Sequence, residues 1–333
     1  MTATFSAAAT DWPITLADVD AARERIAAYL TPTAFRHYPQ LTAAAGYDVQ
    51  IFVKHENHQP TNSFKIRNGL AFMTSLTAGE RRRGVVAAST GNHGQGIAYG
   101  GQLLGVDAIV CVPVGNNPDK NATMRALGAT VIEEGRDYDE AVTVMQRIAS
   151  RDGRIIAHST NDPRIVAGAG TMTREIVEQQ PDLAALVIAV GGGSQAVGAM
   201  TVARALAPSL EVFGVQAAGA SAIHDSWHAR QRLTRTRADT FAEGVATRTT
   251  YDVTFPALLA GLAGFVTVTD AVIAESLRTI LSVTHNLVEG AGAMGLAALP
   301  KLRERLAGKR VGIVFCGGNL DMGTLRRILA KEL

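Results

Sequence analysis

Cysteine is almost absent from this chain: Cys111 and Cys316 are the only two in 333 residues, and both sit in apolar, strand-like runs. A disulfide framework is thereby excluded as the source of the fold, and a reducing compartment, the cytoplasm, is expected. Charge of one sign is scarce too. Thirty-two Lys and Arg against thirty Asp and Glu leave +2, too weak a field to imply a nucleic acid or an anionic membrane as partner. Long hydrophobic runs are missing. AIVCVPV, LVIAV and VGIVF are the longest, far below the roughly 20 residues of a membrane span. The opening MTATFSAAATDWPIT has neither the basic start nor the sustained apolar stretch of a secretory leader. What is present is 47% apolar and 19% charged residues, the composition of a folded globular protein. The length suits two packed lobes of roughly 100 to 200 residues each, and small molecules become the expected ligands.

Periodicity supplies the architecture. Leu16, Val19, Ile26 and Tyr29 share one helical face in the segment from Thr15 to Leu30, with Thr15 and Asp18 spaced as a capping box and Pro32 as a stop. VQIFVKHE puts Val49, Ile51 and Val53 on one side of a strand, and FKIRNGLAFMTSL reads as the next helix. Short β-rich runs then alternate with helical ones: residues 84–89, 108–114, 130–134 and 154–159, followed by LVIAV, EVFGVQ, FVTVTD and RVGIVF. Repeated βα units require parallel sheets, and nearly continuous apolar strands indicate sheets covered on both faces. The fold class is α/β, and no repeat or low-complexity linker marks a boundary between lobes.

In open α/β sheets ligands sit beyond the carboxyl ends of strands, and three loops there carry chemistry. GGGSQAVG, residues 191–198, follows LVIAV and opens a helix; bare backbone N–H groups at a helix N-terminus suit a phosphate, though a tightly packed glycine turn would look the same. The phosphate could belong to a dinucleotide, a nucleoside triphosphate or a cofactor monophosphate. The next strand ends at Gln216 instead of an acid, which weakens the dinucleotide, and no G-x-x-x-x-G-K-[ST] occurs. A nucleophile elbow at Ser194 lacks its last glycine, replaced by Ala196. STGNHGQG, residues 89–96, offers Ser89, Thr90, Asn92 and His93, a set for a carboxylate or a phenolic oxygen, or else an ordinary polar helix cap. In NHQPTNSFKIRNG, Lys65 begins a helix in apolar surroundings, where both the helix N-terminus and desolvation favour a neutral, nucleophilic amine of the Schiff-base kind.

Taken together, ENHQPTNSFKIRN, STGNHGQG, NDPRIVAGAGT, GGGSQAVG, LVEGAGAMGLAAL and CGGN, in this order along nearly the whole chain, resemble the fold-type II pyridoxal phosphate enzymes, and within them the serine/threonine dehydratase and serine racemase group. The resemblance implies two lobes, each an open, mostly parallel sheet flanked by helices. Residues 1–69 and 157–333 would form the large cofactor-binding domain and 70–156 the small one, with the active site in the cleft between them and a homodimer as the assembly. It implies that Lys65 carries pyridoxal phosphate, that Phe64 packs beside its ring, and that Asn92 bonds the ring oxygen. Gly191, Gly192, Gly193, Ser194 and Gln195 would hold the phosphate, Glu289 would lie near the ring, and Cys316 would face the pyridine nitrogen. Ser89, Thr90, Asn92 and His93 would receive the substrate carboxylate. Glu243, near Asp239, lies where relatives can bind a divalent cation, so Mg2+ or Ca2+ is an expectation there.

The expected reaction is that of a lyase releasing ammonia and a 2-oxo acid from a β-hydroxy amino acid such as L-threonine or L-serine. An amino acid racemase, a β-replacement enzyme and a non-catalytic amino acid sensor are the alternatives. Asn62, Asn68 and Ser194 stand where the family commonly has glycine, and Thr90 stands where dehydratases often have alanine and racemases serine. Arg230, Arg232, Arg235 and Arg237 form a basic run without interleaved aromatics, which reads as a solvated loop. Few residues follow CGGN, so feedback through an appended domain is not expected.

Overall fold

A computed structural model describes residues 12–333; the leader features sought in the opening segment fall mostly on residues 1–11, outside the described residues. Two sheets organise the chain. A six-stranded sheet has the order β1-β2-β10-β7-β8-β9, formed by β1 Phe35–His37, β2 Gln50–Lys54, β7 Ala185–Ala189, β8 Glu211–Ala217, β9 Gly264–Val268 and β10 Arg310–Val314. A four-stranded sheet has the order β5-β4-β3-β6, from β3 Val85–Ala88, β4 Ala108–Val112, β5 Thr130–Glu133 and β6 Ile155–Ile156. Every pairing is parallel except β1 with β2, as the alternating pattern predicts. The antiparallel edge strand β1 and the helix Pro39–Ala45 were not legible from periodicity. Each is short, and β1 is half exposed, so neither carries an apolar run.

The Thr15–Asp18 capping box forms: the Thr15 N–H donates to Asp18 Oδ2 at 2.7 Å and the Asp18 N–H to Thr15 Oγ1 at 3.2 Å. Its helix runs from Leu16 to Ile26. Among the described residues no helix is long and apolar enough to cross a membrane.

Strand order decides where the loops meet. Because β10 lies between β2 and β7, the CGGN turn beyond β10 sits beside both the Lys65 segment that follows β2 and the glycine loop that follows β7. Phe64 N–H donates to the Cys316 carbonyl at 3.0 Å and Gly318 N–H to the Asn62 carbonyl at 2.8 Å. Asn62 adopts φ +51 there, a left-handed turn that asparagine tolerates better than most side chains.

The helix Lys65–Ser75 is gripped by glycines of its neighbours. A β-carbon on Gly96, in helix Asn92–Leu104, would stand 2.6 Å from the Lys65 carbonyl oxygen, and one on Gly168, in helix Pro163–Gln179, would stand 2.6 Å from the Arg67 carbonyl oxygen. Beneath this helix lies a buried ion network. Arg67 donates through Nε to Glu56 Oε2 at 2.7 Å and through Nη1 to Glu175 Oε1 at 2.7 Å, while Lys54 Nζ reaches Glu175 Oε2 at 2.6 Å. The two cations and two anions balance, which keeps burial of the charges tolerable. The Arg67 guanidinium holds the Glu56 carboxyl below its ordinary range despite opposing desolvation.

Gly96→Ala is expected to destabilise the fold by roughly 1–3 kcal/mol, because the added methyl meets backbone that cannot rotate away. Chemical denaturation checks this, and a midpoint equal to that of the parent protein refutes the close-packing account.

Candidate active site

The three loops and the CGGN turn converge on one open cleft of about 1000 Å³ between the two sheets. Lys65, the first residue of its helix, lines it, with Nζ 5.0 Å from the centre of the Phe64 ring. Burial lowers the Lys65 pKa from 10.5 to about 8, partly offset by Cys316 and Glu289. Burial also pushes the Cys316 thiol well above its ordinary value and raises the Glu289 carboxyl. Desolvation is thus the first cause of the shift at all three groups.

Gly191, Gly192 and Gly193 form a cradle that admits no side chains. A β-carbon on Gly191 would lie 2.5 Å from the Gly244 carbonyl oxygen, one on Gly192 would overlap Thr160 Oγ1, and Gly193 has φ +94. The helix Ser194–Leu206 starts at once, so its free first-turn N–H groups face the cradle. Asn68 Nδ2 donates to Ser194 Oγ at 3.4 Å, and Gln195 turns its amide toward Met172 Sδ at 3.5 Å. Gln195 can thus serve an anion through its backbone only.

The second loop is largely self-satisfied. Ser89 Oγ accepts from Gly91 N–H at 3.2 Å and Gly94 N–H at 2.9 Å, which closes the loop at the start of the helix. His93 Nε2 lies 2.8 Å from the Ala157 carbonyl, so that nitrogen carries the proton, and burial takes the ring pKa down to about 3. Its imidazole is neutral and tied to the protein. Asn92 Nδ2 donates to both Glu289 oxygens at 2.9 and 3.0 Å, and its Oδ1 accepts from Asn319 Nδ2 at 2.7 Å. Thr90 lines the cleft with its carbonyl held by Asn116 Nδ2 at 3.3 Å.

Two site residues escaped sequence reading. Asn319 braces Asn92, and the signal was present as the last letter of CGGN. Thr160, against Gly192, had no motif to announce it. The arginine run is solvent-exposed as expected, and its later part, with Arg235 and Arg237, also borders the cleft. Arg232, Arg235 and Arg237 pair with Asp252, Asp225 and Asp239. The cation expected at Glu243 finds no ligand set. Glu243 pairs with Lys120, Asp239 with Arg237, and among the described residues no cluster of three or more metal-ligating side chains occurs.

The donor set fits pyridoxal phosphate: a bare glycine cradle with helix N–H groups suits the phosphate, and an amine of depressed pKa stands in the same cleft. A family model described as pyridoxal-phosphate dependent enzyme matches residues 26–317. The chain is 37% identical to the L-threonine ammonia-lyase of Thermotoga maritima, over 96% of this chain and 79% of that one. It is 33% identical to the L-threo-3-hydroxyaspartate ammonia-lyase of a Pseudomonas species, over 92% and 95%. The crystal structure of the T.th. threonine deaminase superimposes with a TM-score of 0.87 at 33% identity, covering 93% of this chain and 99% of that one.

Since the neutral amine is the form that can bond a carbonyl, recombination of cofactor-free protein with pyridoxal phosphate should be fastest above about pH 8. Below that value the rate should fall about tenfold per pH unit as Lys65 gains its proton. Stopped-flow absorbance across pH 6 to 10 measures it, and a rate still climbing tenfold per unit up to pH 10 contradicts the lowered pKa.

Proposed function

Because this chain belongs to the pyridoxal-phosphate dependent enzyme family, we propose that it is an ammonia-lyase converting a β-hydroxy amino acid, L-threonine or L-serine, to the corresponding 2-oxo acid and ammonia. The observation that carries this reading is the buried amine of Lys65, of lowered pKa, lining the same cleft as the glycine cradle and the polar residues Ser89, Thr90 and Asn92. We read residues 70–156 as the small domain and the remainder as the large one, with the cleft between them. Two buried free cysteines, Cys111 and Cys316, suit a reducing cytoplasmic setting.

When bound, pyridoxal phosphate supplies the electron sink that acidifies the α-proton of an attached amino acid. Each chain residue then has a task. The backbone from Gly191 to Gln195 would hold the phosphate, and Phe64 would pack beside the ring. Lys65 Nζ, neutral near pH 8, takes the α-proton. Asn92, fixed by Glu289 and Asn319, gives the ring a polar edge of set orientation. The Cys316 thiol stays protonated and so offers no full negative charge to a pyridinium. With a neutral thiol and no carboxylate at that position, Cys316 would favour elimination of the β-hydroxyl over reactions that need a longer-lived negative charge. The N–H groups that open helix Asn92–Leu104 receive the substrate carboxylate.

Charge in the cleft bears on the side chain at Cβ. Arg136, Arg235, Arg237 and Arg248 line it, and each is paired with an acid, namely Glu140, Asp225, Asp239 and Asp139. Each guanidinium keeps further N–H donors, so 3-hydroxyaspartate is to be tested as a substrate beside threonine and serine.

Borohydride reduction of the yellow holoenzyme followed by peptide mapping should place the cofactor on Lys65, and Lys65→Ala should keep the fold while losing turnover. A different labelled lysine sinks the assignment. Incubation of L-serine and L-threonine in deuterated water should give mainly 2-oxo acid with little inverted amino acid, since the Thr90 methyl restricts its hydroxyl rotamer. Recovery of mostly α-deuterated D-amino acid would replace the lyase reading by a racemase.

A further inference from the structure

Lys120 belongs to neither the lysine helix nor any of the three loops, yet it stands at the mouth of the cleft. It lies in the first turn of helix Pro118–Ala126 with only 13% of its side chain exposed, and a β-carbon on Gly91 would lie 3.3 Å from its Cδ and 3.8 Å from its Nζ. The contact is fixed from behind. Asn121, the next residue, is buried, and its Oδ1 accepts from Asn116 Nδ2 at 2.6 Å; the same Asn116 amide reaches the Thr90 carbonyl at 3.3 Å. Lys120 therefore keeps its place relative to Thr90 and Gly91 as part of one polar cluster. Its carboxylate partner, Glu243, comes from the segment packed on the Gly191 cradle, and that side chain is 52% exposed. A second ion pair, Arg248 with Asp139, crosses the same mouth with the signs reversed.

An ammonium has three donors, and one carboxylate partner leaves the others free. Those donors stand over the loop whose helix presents the unpaired first-turn N–H groups of Asn92 and His93. We propose that Lys120 is a substrate-binding cation: it supplies a counter-charge to the α-carboxylate of the amino acid seated on residues 90–92, while the Asn121–Asn116–Thr90 cluster keeps it over the loop. This rests on the lyase reading for the place of the carboxylate but not for turnover.

The test is binding without chemistry. Glycine has no β-hydroxyl to lose, and its methyl ester lacks the carboxylate charge. Titration of each into the holoenzyme, followed through the cofactor absorption, gives their dissociation constants. Lys120→Met should raise that of glycine by at least about tenfold, the worth of a charge-assisted hydrogen bond, and leave that of the ester unchanged. Lys120→Arg should restore most of the glycine affinity. Glu243→Gln, which breaks the ion pair but spares the cation, should not weaken glycine. Equal weakening by Lys120→Met and Glu243→Gln, or equal loss of glycine and ester, would show that Lys120 only ties the two sides of the cleft together and would overturn the proposal. Should Lys120→Met fail to retain cofactor, Lys120→Gln serves as the neutral variant under the same criteria. A holoenzyme that binds glycine yet yields no 2-oxo acid from any β-hydroxy amino acid would overturn the lyase reading alone.

Discussion

Backbone-to-backbone contact along the helix that begins at Lys65 is the constraint on which the site depends. Gly96 lets helix Asn92–Leu104 approach the Lys65 carbonyl, and Gly168 lets helix Pro163–Gln179 approach the Arg67 carbonyl. At its start the same helix is pinned to the turn after β10 through Phe64 and Cys316. An amine held on a helix restrained at both neighbours and at its N-terminus has few ways to move except by its own side-chain torsions. That restraint suits the anchoring and proton-taking roles proposed for Lys65.

Burial is handled in two opposite ways within a few residues. Arg67, Glu56, Lys54 and Glu175 are paired, and Glu56 stays ionised because its partner outweighs desolvation. On the cleft side Glu289 has only the Asn92 amide as a direct partner, and its carboxyl is pushed up; Cys316 and His93 follow the same rule in their own directions. The network below the helix is charged and paired, while desolvation acts with little opposition on the groups above it.

The mouth of the cleft follows a third pattern. Charged side chains there are partly exposed and pair across the gap, Lys120 with Glu243 and Arg248 with Asp139. Exposed pairs of this kind are individually weak and yield to salt. They suit an entrance that must be crossed by a small zwitterion more than a permanent seal.

Much of this was legible in the residues themselves. Alternating apolar runs and turn residues dictate parallel βα units, since only crossover helices connect parallel neighbours. The spacing of Thr15 and Asp18 dictates a capping box, and the bare glycines at 191–193 announce a backbone-lined turn with no room for side chains. Only the tertiary structure decided which loops meet. Placement of β10 between β2 and β7 brings Asn319 onto Asn92, and the packing of Gly244 on Gly191 sets the exposed end of the arginine run at the rim of the cleft. It also gave Glu243 a lysine partner in place of a metal. Local sequence fixes periodicity and turn chemistry within a few residues, whereas strand order and ion pairing across more than a hundred residues follow from how the covered faces of two sheets come together.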